Sequence, residues 1–287
     1  RQLGTAFLAE RVKNDGKILM AFTRLIAFVC ALLVLATAPA LAARCGNNAA
    51  GFEKWKRAFA QEARANGIGK RGINALMGTR YSYGTIKADR SQSSFKLSLN
   101  QFMKKRGASA IASQGKRYKR SNAALLNAIE RRYGVPPGPL LAIWGMETGF
   151  GRYMGRQNTL SAVATLAYDC RRPHFFTPHL YAALQLVDRG ALSPGQVGAM
   201  HGEIGHTQFL PRNVILYGVD GSGDGRVDLN NKADALASTA NFLRGHGWRR
   251  GAGYQPGQPN YRAIQGWNAA GVYQQTIAIV GAQIDGG

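Results

Sequence analysis

Acidic residues are scarce in this sequence. Its 287 residues contain 15 Asp and Glu against 37 Lys and Arg, for a formal net charge of +22. The sequence also lacks an alternating strand pattern of useful length, an internal repeat and any long low-complexity stretch. Hydrophobic residues make up 45%, which is ordinary for a globular protein. These absences leave a mainly α class.

Only one apolar run resembles a membrane segment, and it is too short to span comfortably. Residues 25–38 are apolar, they follow Arg24, and they precede Pro39 and the sequence ALA at 40–42. A span needs about 20 residues, whereas a basic start, a short apolar stretch and an A-x-A site are typical of a signal peptide. We predict a cleaved signal at 20–42 and export to the periplasm, with a retained anchor as the alternative. Residues 1–19 are interpreted as an upstream extension.

Cysteines are few as well. Cys30 would leave with the signal, so Cys45 and Cys170 remain. An oxidising compartment favours a disulfide between them, but sequence alone does not supply the distance. Cys45 could instead carry a lipid, although Arg44 occupies the position where lipoprotein signals have a small residue. The pairing stays open at this point.

The positive charge is concentrated in residues 44–133, called the basic half below. It has 20 Lys and Arg against 4 acids, a net charge of +16, whereas residues 134–287 have 12 against 9, a net charge of +3. Such a surface favours a polyanionic partner, or it is simply a solvated face. Export argues against nucleic acid and for peptidoglycan, whose stem peptides carry free carboxylates. We expect a monomer with no stable membrane span after signal cleavage.

Helical periodicity dominates the mature chain. The patterns predict a basic N-terminal helical region at 44–133, a catalytic core at 134–287, and a possible small irregular or β element near 245–260. Turns and short segments are predicted at 67–95. The predicted helices are 52–66, 95–112, 121–133, 140–147, 159–168, 178–189, 232–244 and 261–283.

One carboxylate stands out chemically. Glu147 ends an almost wholly apolar helix, with Ile143 and Trp144 four and three residues back on its face. Apolar burial and the negative end of the helix dipole both raise a carboxyl pKa, which favours a general acid. The alternative is a helix-end Glu that pairs with Arg152 or Arg156.

The motif around Glu147 resembles a known enzyme family. Residues 142–151 read AIWGMETGFG, 164–169 read ATLAYD, 171–172 read RR, and 205–211 read GHTQFLP. Together with residues 220–248, these segments resemble the B-type lytic murein transglycosylases over roughly residues 52–283.

This resemblance implies a lysozyme-like helical core and cleavage of the β-1,4 bond between N-acetylmuramic acid and N-acetylglucosamine. Glu147 would be the only acid/base, because the muramyl 6-hydroxyl attacks C1 and yields a 1,6-anhydro product. An ordinary glycosidase needs two carboxylates. No cofactor is required for this chemistry.

The same resemblance implies substrate-binding residues. Gln208 and the pair Trp267-Asn268 match positions in the family's groove, and the Asn268 amide would hold an N-acetyl group. Tyr168 and the pair Arg171-Arg172 match the cleft wall, where the arginines could bind a stem-peptide carboxylate. Phe209 and Tyr273 are interpreted as core or cleft wall rather than chemistry.

Two positions depart from the family pattern. Glu203 stands where the family often has a small residue, and Ala199 stands where it often has Ser. Glu203 either pairs with a nearby base, His201 or His206, or activates water in the groove, which would make the enzyme a hydrolytic muramidase. A non-catalytic peptidoglycan-binding protein is a further alternative.

A calcium loop is predicted at 220–234. Residues 220–226 read DGSGDGR, which resembles the start of an EF-hand loop, but position twelve is Asn231 rather than Glu. The alternative is an Asp/Gly turn held by its own backbone. The expected ligands are Asp220, Ser222, Asp224, the Arg226 carbonyl and Asp234.

Overall fold

Helices account for most of the chain that the structure, a computed structural model, describes: residues 43–91 and 96–286. The predicted signal peptide and the upstream extension lie outside the described residues. The described helices are α1 (Phe52–Ala65), α2 (Lys70–Met77), α3 (Tyr83–Arg90), α4 (Leu99–Arg106), α5 (Ala108–Ser121), α6 (Ala123–Tyr133), α7 (Pro137–Thr148), α8 (Thr159–Tyr168), α9 (Pro173–Asp188), α10 (Pro211–Tyr217), α11 (Lys232–Gly245), α12 (Tyr261–Trp267) and α13 (Gly271–Asp285).

Two predicted helices are each divided in the structure. The prediction of one helix over 95–112 is wrong, because Gly107 adopts a left-handed conformation at φ 67° between α4 and α5. Only glycine adopts this conformation at little cost, so the chain turns there. The predicted helix over 261–283 is divided at Asn268, whose side-chain oxygen accepts a hydrogen bond from the Ala270 amide.

The small sheet is not where we expected it. Gln157–Asn158 (β1) pairs antiparallel with Val197–Gly198 (β2). The region 245–260, predicted as irregular or β, contains no strand. It is held instead by Asn260, which is fully buried, accepts from the Arg249 amide and donates to the carbonyls of Arg249 and Ala252.

Helix α7 lies at the centre of the core. Its interfaces with α5 and α13 are close because glycines line them. A Cβ on Gly145 would lie 2.4 Å from Ile111 Cγ2, and one on Gly138 would lie 2.3 Å from the Gly281 carbonyl oxygen. The basic half therefore packs directly on α7, and the described residues from Ala43 belong to one compact unit.

A disulfide joins Cys45 to Cys170 and resolves the pairing that the sequence left open. Backbone hydrogen bonds support it on both sides, from the Gly46 amide to the Tyr168 carbonyl and from the Cys170 amide to the Gly46 carbonyl. The start of the described chain is thus tied to the end of α8.

None of the described helices combines the length and the apolar character that crossing a membrane would require.

Candidate active site

Glu147 lies in the last turn of α7, and a network of local contacts ends the helix directly after it. Gly149 takes the left-handed conformation at φ 57°, which stops the helix. The Thr148 hydroxyl donates to the His206 carbonyl at 2.7 Å and accepts from the Gly151 amide at 2.9 Å. The carboxyl group is therefore carried by a rigid, buried helix rather than by a mobile loop.

Two hydrogen-bond donors converge on one oxygen of this carboxyl group. The Tyr273 hydroxyl donates to Glu147 Oε1 at 2.7 Å, and the Trp267 indole N–H donates to the same atom at 3.0 Å. No described residue is hydrogen-bonded to Oε2. When Glu147 is protonated, the proton accordingly belongs on Oε2, and Oε1 acts as the acceptor.

The environment of Glu147 favours the protonated acid. Burial is the largest influence and raises its pKa, whereas the hydrogen bonds from Tyr273 and Trp267 lower it. The negative charge of Glu203 raises the pKa again, and the positive charge of Arg106 lowers it. The net direction is upward, as the general acid of glycosidic cleavage requires.

The groups that bury Glu147 differ from those predicted. Trp144 packs against Tyr118 and Phe150, and its indole N–H donates to His206 at 3.0 Å. Trp267 and Tyr273 contact the carboxyl group instead. The alternative that Arg152 pairs with Glu147 is not observed, since Arg152 donates to the Gly149 carbonyl and the Gln114 side chain.

Glu147 opens into a groove formed by two adjoining cavities of about 740 and 630 Å³. Both cavities are lined by Arg106, Glu147, Phe175, Glu203, Leu210, Trp267, Asn268 and Ala269. One end is additionally lined by His179; burial and then Arg212 lower the pKa of His179 to about 4. His179 is therefore neutral near pH 7.

Three of the predicted binding residues line this groove with Glu147. Gln208 has a positive φ of 58°, unusual for a residue with a side chain, and its side-chain Nε2 donates to the Gly205 carbonyl at 2.6 Å. Such strain is common at functional sites. The Asn268 Oδ1 accepts a hydrogen bond from the Ala270 amide, and its Nδ2 has no hydrogen-bond partner among the described residues. Trp267 is hydrogen-bonded to Glu147.

Glu203 also lines the groove, and it pairs with His201 as the first alternative predicted. The His201 amide donates to Oε2 at 2.9 Å, and the His201 ring nitrogen Nδ1 lies 3.1 Å from Oε1. His206 instead accepts the indole hydrogen bond of Trp144.

The cleft-wall prediction for Tyr168 is wrong. Its side chain is buried among Phe52 and Trp55, and its hydroxyl donates to the Asn48 carbonyl at 2.9 Å. The residue therefore holds the N-terminal segment in place. Its side chain is large and apolar, and the neighbouring α1 supplies the aromatic surface that covers it.

Both predicted arginines form ion pairs within the protein. Arg171 and Arg172 each pair with Asp89, a buried residue at the end of α3, and Arg171 also donates to the Asp89 carbonyl at 2.9 Å. Arg172 lines one cavity of the groove, whereas Arg171 lies behind it. Asp89 thus pairs with the two arginine charges that we expected to meet the substrate.

Three carboxylates converge in the predicted calcium loop. Oxygens of Asp220, Asp224 and Asp234 all lie within 4.8 Å of one another. Asn231, at position twelve, accepts from the Ala233 amide and caps α11, so Asp234 supplies the third carboxylate. The Ser222 hydroxyl donates to Asp220 Oδ1 at 3.2 Å, and the Arg226 backbone amide donates to Asp224 Oδ1.

Sequence reasoning missed two residues near the carboxyl group. Tyr273 was interpreted as wall, yet it donates the shortest hydrogen bond to Glu147. Arg106 places its guanidinium carbon 5.8 Å from the centre of the Tyr273 ring. Neither position carries a local signal, because each comes near Glu147 only through the packing of α13 against α7 and of α4 against α13.

Comparison with known proteins decides the family. Residues 51–257 match the profile of the transglycosylase SLT domain family (SLT_2). The chain belongs to this family. The chain is also 38% identical over 144 residues to membrane-bound lytic murein transglycosylase B of Escherichia coli K12; the match covers 47% of this chain and about 40% of that relative's length. The predicted resemblance to B-type lytic transglycosylases is confirmed.

Crystal structures of this family share the fold. SltB3 from Pseudomonas aeruginosa, in complex with NAG-anhNAM-pentapeptide, superposes with a TM-score of 0.75 at 28% identity, covering 82% of this chain and 80% of that one. Escherichia coli Slt35, in complex with calcium, gives 0.70 at 23% identity, covering 85% and 96%. At that identity Slt35 supports the fold alone. The mainly α, lysozyme-like transglycosylase fold is confirmed.

Proposed function

We propose that the protein is a peptidoglycan lytic transglycosylase that cleaves the β-1,4 bond between N-acetylmuramic acid and N-acetylglucosamine. The observation that carries this proposal is the environment of Glu147. Its Oε1 accepts two hydrogen bonds, its Oε2 is left for the proton, and its pKa is raised above the ordinary value by burial. Membership of the lytic transglycosylase family supports the same reaction.

In this mechanism Glu147 acts twice. The proton on Oε2 first passes to the glycosidic oxygen, and the bond between that oxygen and C1 of the muramyl residue breaks. The carboxylate then accepts the proton of the muramyl 6-hydroxyl, whose oxygen bonds to C1. The product is a 1,6-anhydro sugar, Glu147 is protonated again, and no cofactor takes part.

Gln208, Asn268 and Trp267 are proposed to position the glycan strand. The Nδ2 of Asn268 can donate to the carbonyl of an N-acetyl group, and Trp267 offers an aromatic face in the same groove. The strained backbone of Gln208 supports a role beyond packing. Arg172, at one cavity wall, is the predicted arginine that remains in reach of a stem peptide.

Hydrolysis is the second candidate reaction, because Glu203 provides another carboxylate in the groove. A hydrolytic muramidase would use it to activate water and would release reducing ends. A non-catalytic binding protein would release nothing.

Product analysis separates these three functions. Purified sacculi are digested with wild type, Glu147→Gln and the control Glu53→Gln, which removes a charge from an exposed side chain on α1. We expect anhydromuropeptides by mass spectrometry from wild type and the control, and a loss of at least about 100-fold in Glu147→Gln. Reducing-end products would assign the reaction to hydrolysis, and undiminished anhydro products from Glu147→Gln would refute its role.

Export to the periplasm is proposed as well. The disulfide between Cys45 and Cys170 supports it, since such bonds persist in oxidising compartments. Cys45 lies shortly after the predicted cleavage site at 40–42. N-terminal sequencing of the protein from a periplasmic fraction should begin at Ala43; a chain that keeps residues 20–42 would favour the anchor.

We propose a monomer, because the groove residues described above all belong to one chain. Light scattering at micromolar concentration should give the mass of one mature chain, and a dimer mass would refute it.

We further propose that the loop at 220–234 binds Ca²⁺ in a structural role. The residues fit the ion: Asp220, Asp224 and Asp234 present carboxylate oxygens within 4.8 Å, in a loop whose spacing resembles an EF-hand. Backbone amides already bond to Asp220 and hold its pKa below the ordinary value, so it stays ionised. The Ser222 hydroxyl and the Arg226 carbonyl could complete the ligand set.

Thermal melts test the calcium site. With calcium at 100 times its dissociation constant, binding should stabilise the fold by about 2.7 kcal/mol relative to EGTA. Asp224→Asn should abolish that difference, whereas Asp228→Asn, an acid of the same loop outside the cluster, should keep it. Equal melting temperatures in calcium and EGTA for the wild type would refute the site.

A further inference from the structure

Glu203 is carried by a tightly constrained loop between β2 and α10. The Ala199 amide donates to the Glu203 carbonyl at 3.0 Å, and Gly202 turns the chain with a φ of 88°. A Cβ on Gly198 would lie only 2.0 Å from the Glu203 carbonyl oxygen. The backbone at Glu203 thus has little freedom, and the side chain is directed from a rigid support.

One neighbour, His201, holds both carboxylate oxygens of Glu203. Its amide donates to Oε2 and its ring Nδ1 contacts Oε1, at 2.9 and 3.1 Å. Its other ring nitrogen lies 3.7 Å from Asp89 Oδ1, so the imidazole is located between two carboxylates.

The charge behind His201 is compensated. Asp89 is only 4% exposed, and Arg171 and Arg172 both pair with it. Burial alone would raise the pKa of Asp89, but hydrogen bonds from Arg171 and Arg172 hold it below the ordinary value. Glu203 is the carboxylate of this cluster that faces the groove, and Arg172 lines the same cavity.

We propose that Glu203, held by His201, is the electrostatic partner of Glu147: its fixed negative charge in the shared groove keeps Glu147 in the acid form for the next cleavage. This inference rests on the proposed function. Two acids that share a site cannot both ionise easily, so one retains its proton. Because Glu203 is held by His201 and acts through Glu147, it is a positioning residue in this proposal.

The groups that face Glu147 predict whether removing each of them raises or lowers the pKa of Glu147. Tyr273 and Trp267 face it from the C-terminal region, Glu203 from the loop after β2, and Arg106 from the end of α4. Among these, Glu203 raises the pKa of Glu147, and Arg106 lowers it. Removing the one charge or the other should shift the pKa of Glu147 in opposite directions, which gives a matched pair of variants.

The test is the pH dependence of kcat/KM for anhydromuropeptide release, between pH 4.5 and 8.5. Activity falls as pH rises through the pKa of the essential acid. Glu203→Gln should move this fall to lower pH, and Arg106→Gln should move it to higher pH. Glu203→Asp, which keeps the charge, should lie nearer to wild type than Glu203→Gln.

A direct titration keeps the inference testable if any variant loses activity. The carbon-13 signal of the Glu147 carboxyl, assigned with Glu147→Gln, should titrate at lower pH in Glu203→Gln than in wild type. Equal titration midpoints, or a Glu203→Gln profile that is lower at every pH without being displaced, would overturn the proposal. If wild type released no anhydro product, the proposed function would fail, and this titration would still decide the role of Glu203.

Discussion

Removing the disulfide should destabilise the protein strongly while leaving its chemistry intact. Cys45 and Cys170 lie 125 residues apart in the chain, and neither lines the groove. The bridge closes a loop that contains α1 to α8, including Glu147. The perturbation is the double variant Cys45→Ser/Cys170→Ser, or reduction of the wild type.

The loop length sets the magnitude. In the chain-entropy treatment, closing a loop of 125 residues removes about 16 to 17 cal/mol/K from the unfolded state, which corresponds to about 5 kcal/mol at 25 °C. A chain of this size loses about 2–4 °C of melting temperature per kcal/mol. The melting temperature should therefore fall by about 10–20 °C.

Calorimetry with and without a phosphine reductant measures this fall. The double Ser variant should melt at the temperature of the reduced wild type, and the reductant should not change it further. Anhydromuropeptide release at 25 °C should stay near the wild-type rate. A fall of less than about 3 °C would show that the bridge barely restricts the unfolded chain, and the entropic reasoning would be wrong.

Three further predictions concern the acid, the backbone and the basic half. Tyr273→Phe removes a hydrogen bond that lowers the Glu147 pKa, so the alkaline fall of kcat/KM should move to higher pH. In the same variant kcat should drop about tenfold, because Oε1 loses its orienting donor. A fall of kcat/KM at the wild-type pH would contradict this. Gly205→Ala should lower the free energy of unfolding by more than about 2 kcal/mol in denaturant melts, because φ is 72° and a Cβ would lie 2.1 Å from the Leu229 carbonyl oxygen. The control Gly67→Ala, at φ 83° with open space around it, should lower it by only about 1 kcal/mol. Equal losses of unfolding free energy in the two variants would refute the steric argument. Binding of the inactive Glu147→Gln variant to sacculi should weaken as salt rises, if the basic half contacts stem-peptide carboxylates; salt-independent binding would favour a solvated surface.

The helices that the sequence predicted well carry their signals locally. Helices α1, α8 and α11 begin and end within one residue of the predicted ranges 52–66, 159–168 and 232–244. Their apolar spacing acts over one or two turns, and Asn158 and Asn231 cap α8 and α11 with side-chain oxygens.

The predictions from sequence failed where a single residue interrupts a periodic pattern, or where a residue distant in the chain determines the contacts of a side chain. Gly107 interrupts a continuous helical pattern through its backbone conformation. Arg171 and Arg172 match a family motif, but Asp89, which lies 82 and 83 residues earlier, takes up their charge. Tyr168 matches the same region, yet packing against α1 buries it.

The sequence by itself determined the mainly α class and the family, and it singled out Glu147 as the candidate acid, because the motif around Glu147 and the amphipathic spacing are contained in short segments. The tertiary structure decided the protonation chemistry. Tyr273 and Trp267 lie 126 and 120 residues beyond Glu147. Only the folded chain brings their donors to Oε1, because Tyr273 lies on α13, which packs against α7, and Trp267 ends α12, which packs against α13. The carboxyl pKa depends on burial and on charges within a few ångströms, and those distances are a property of the folded chain.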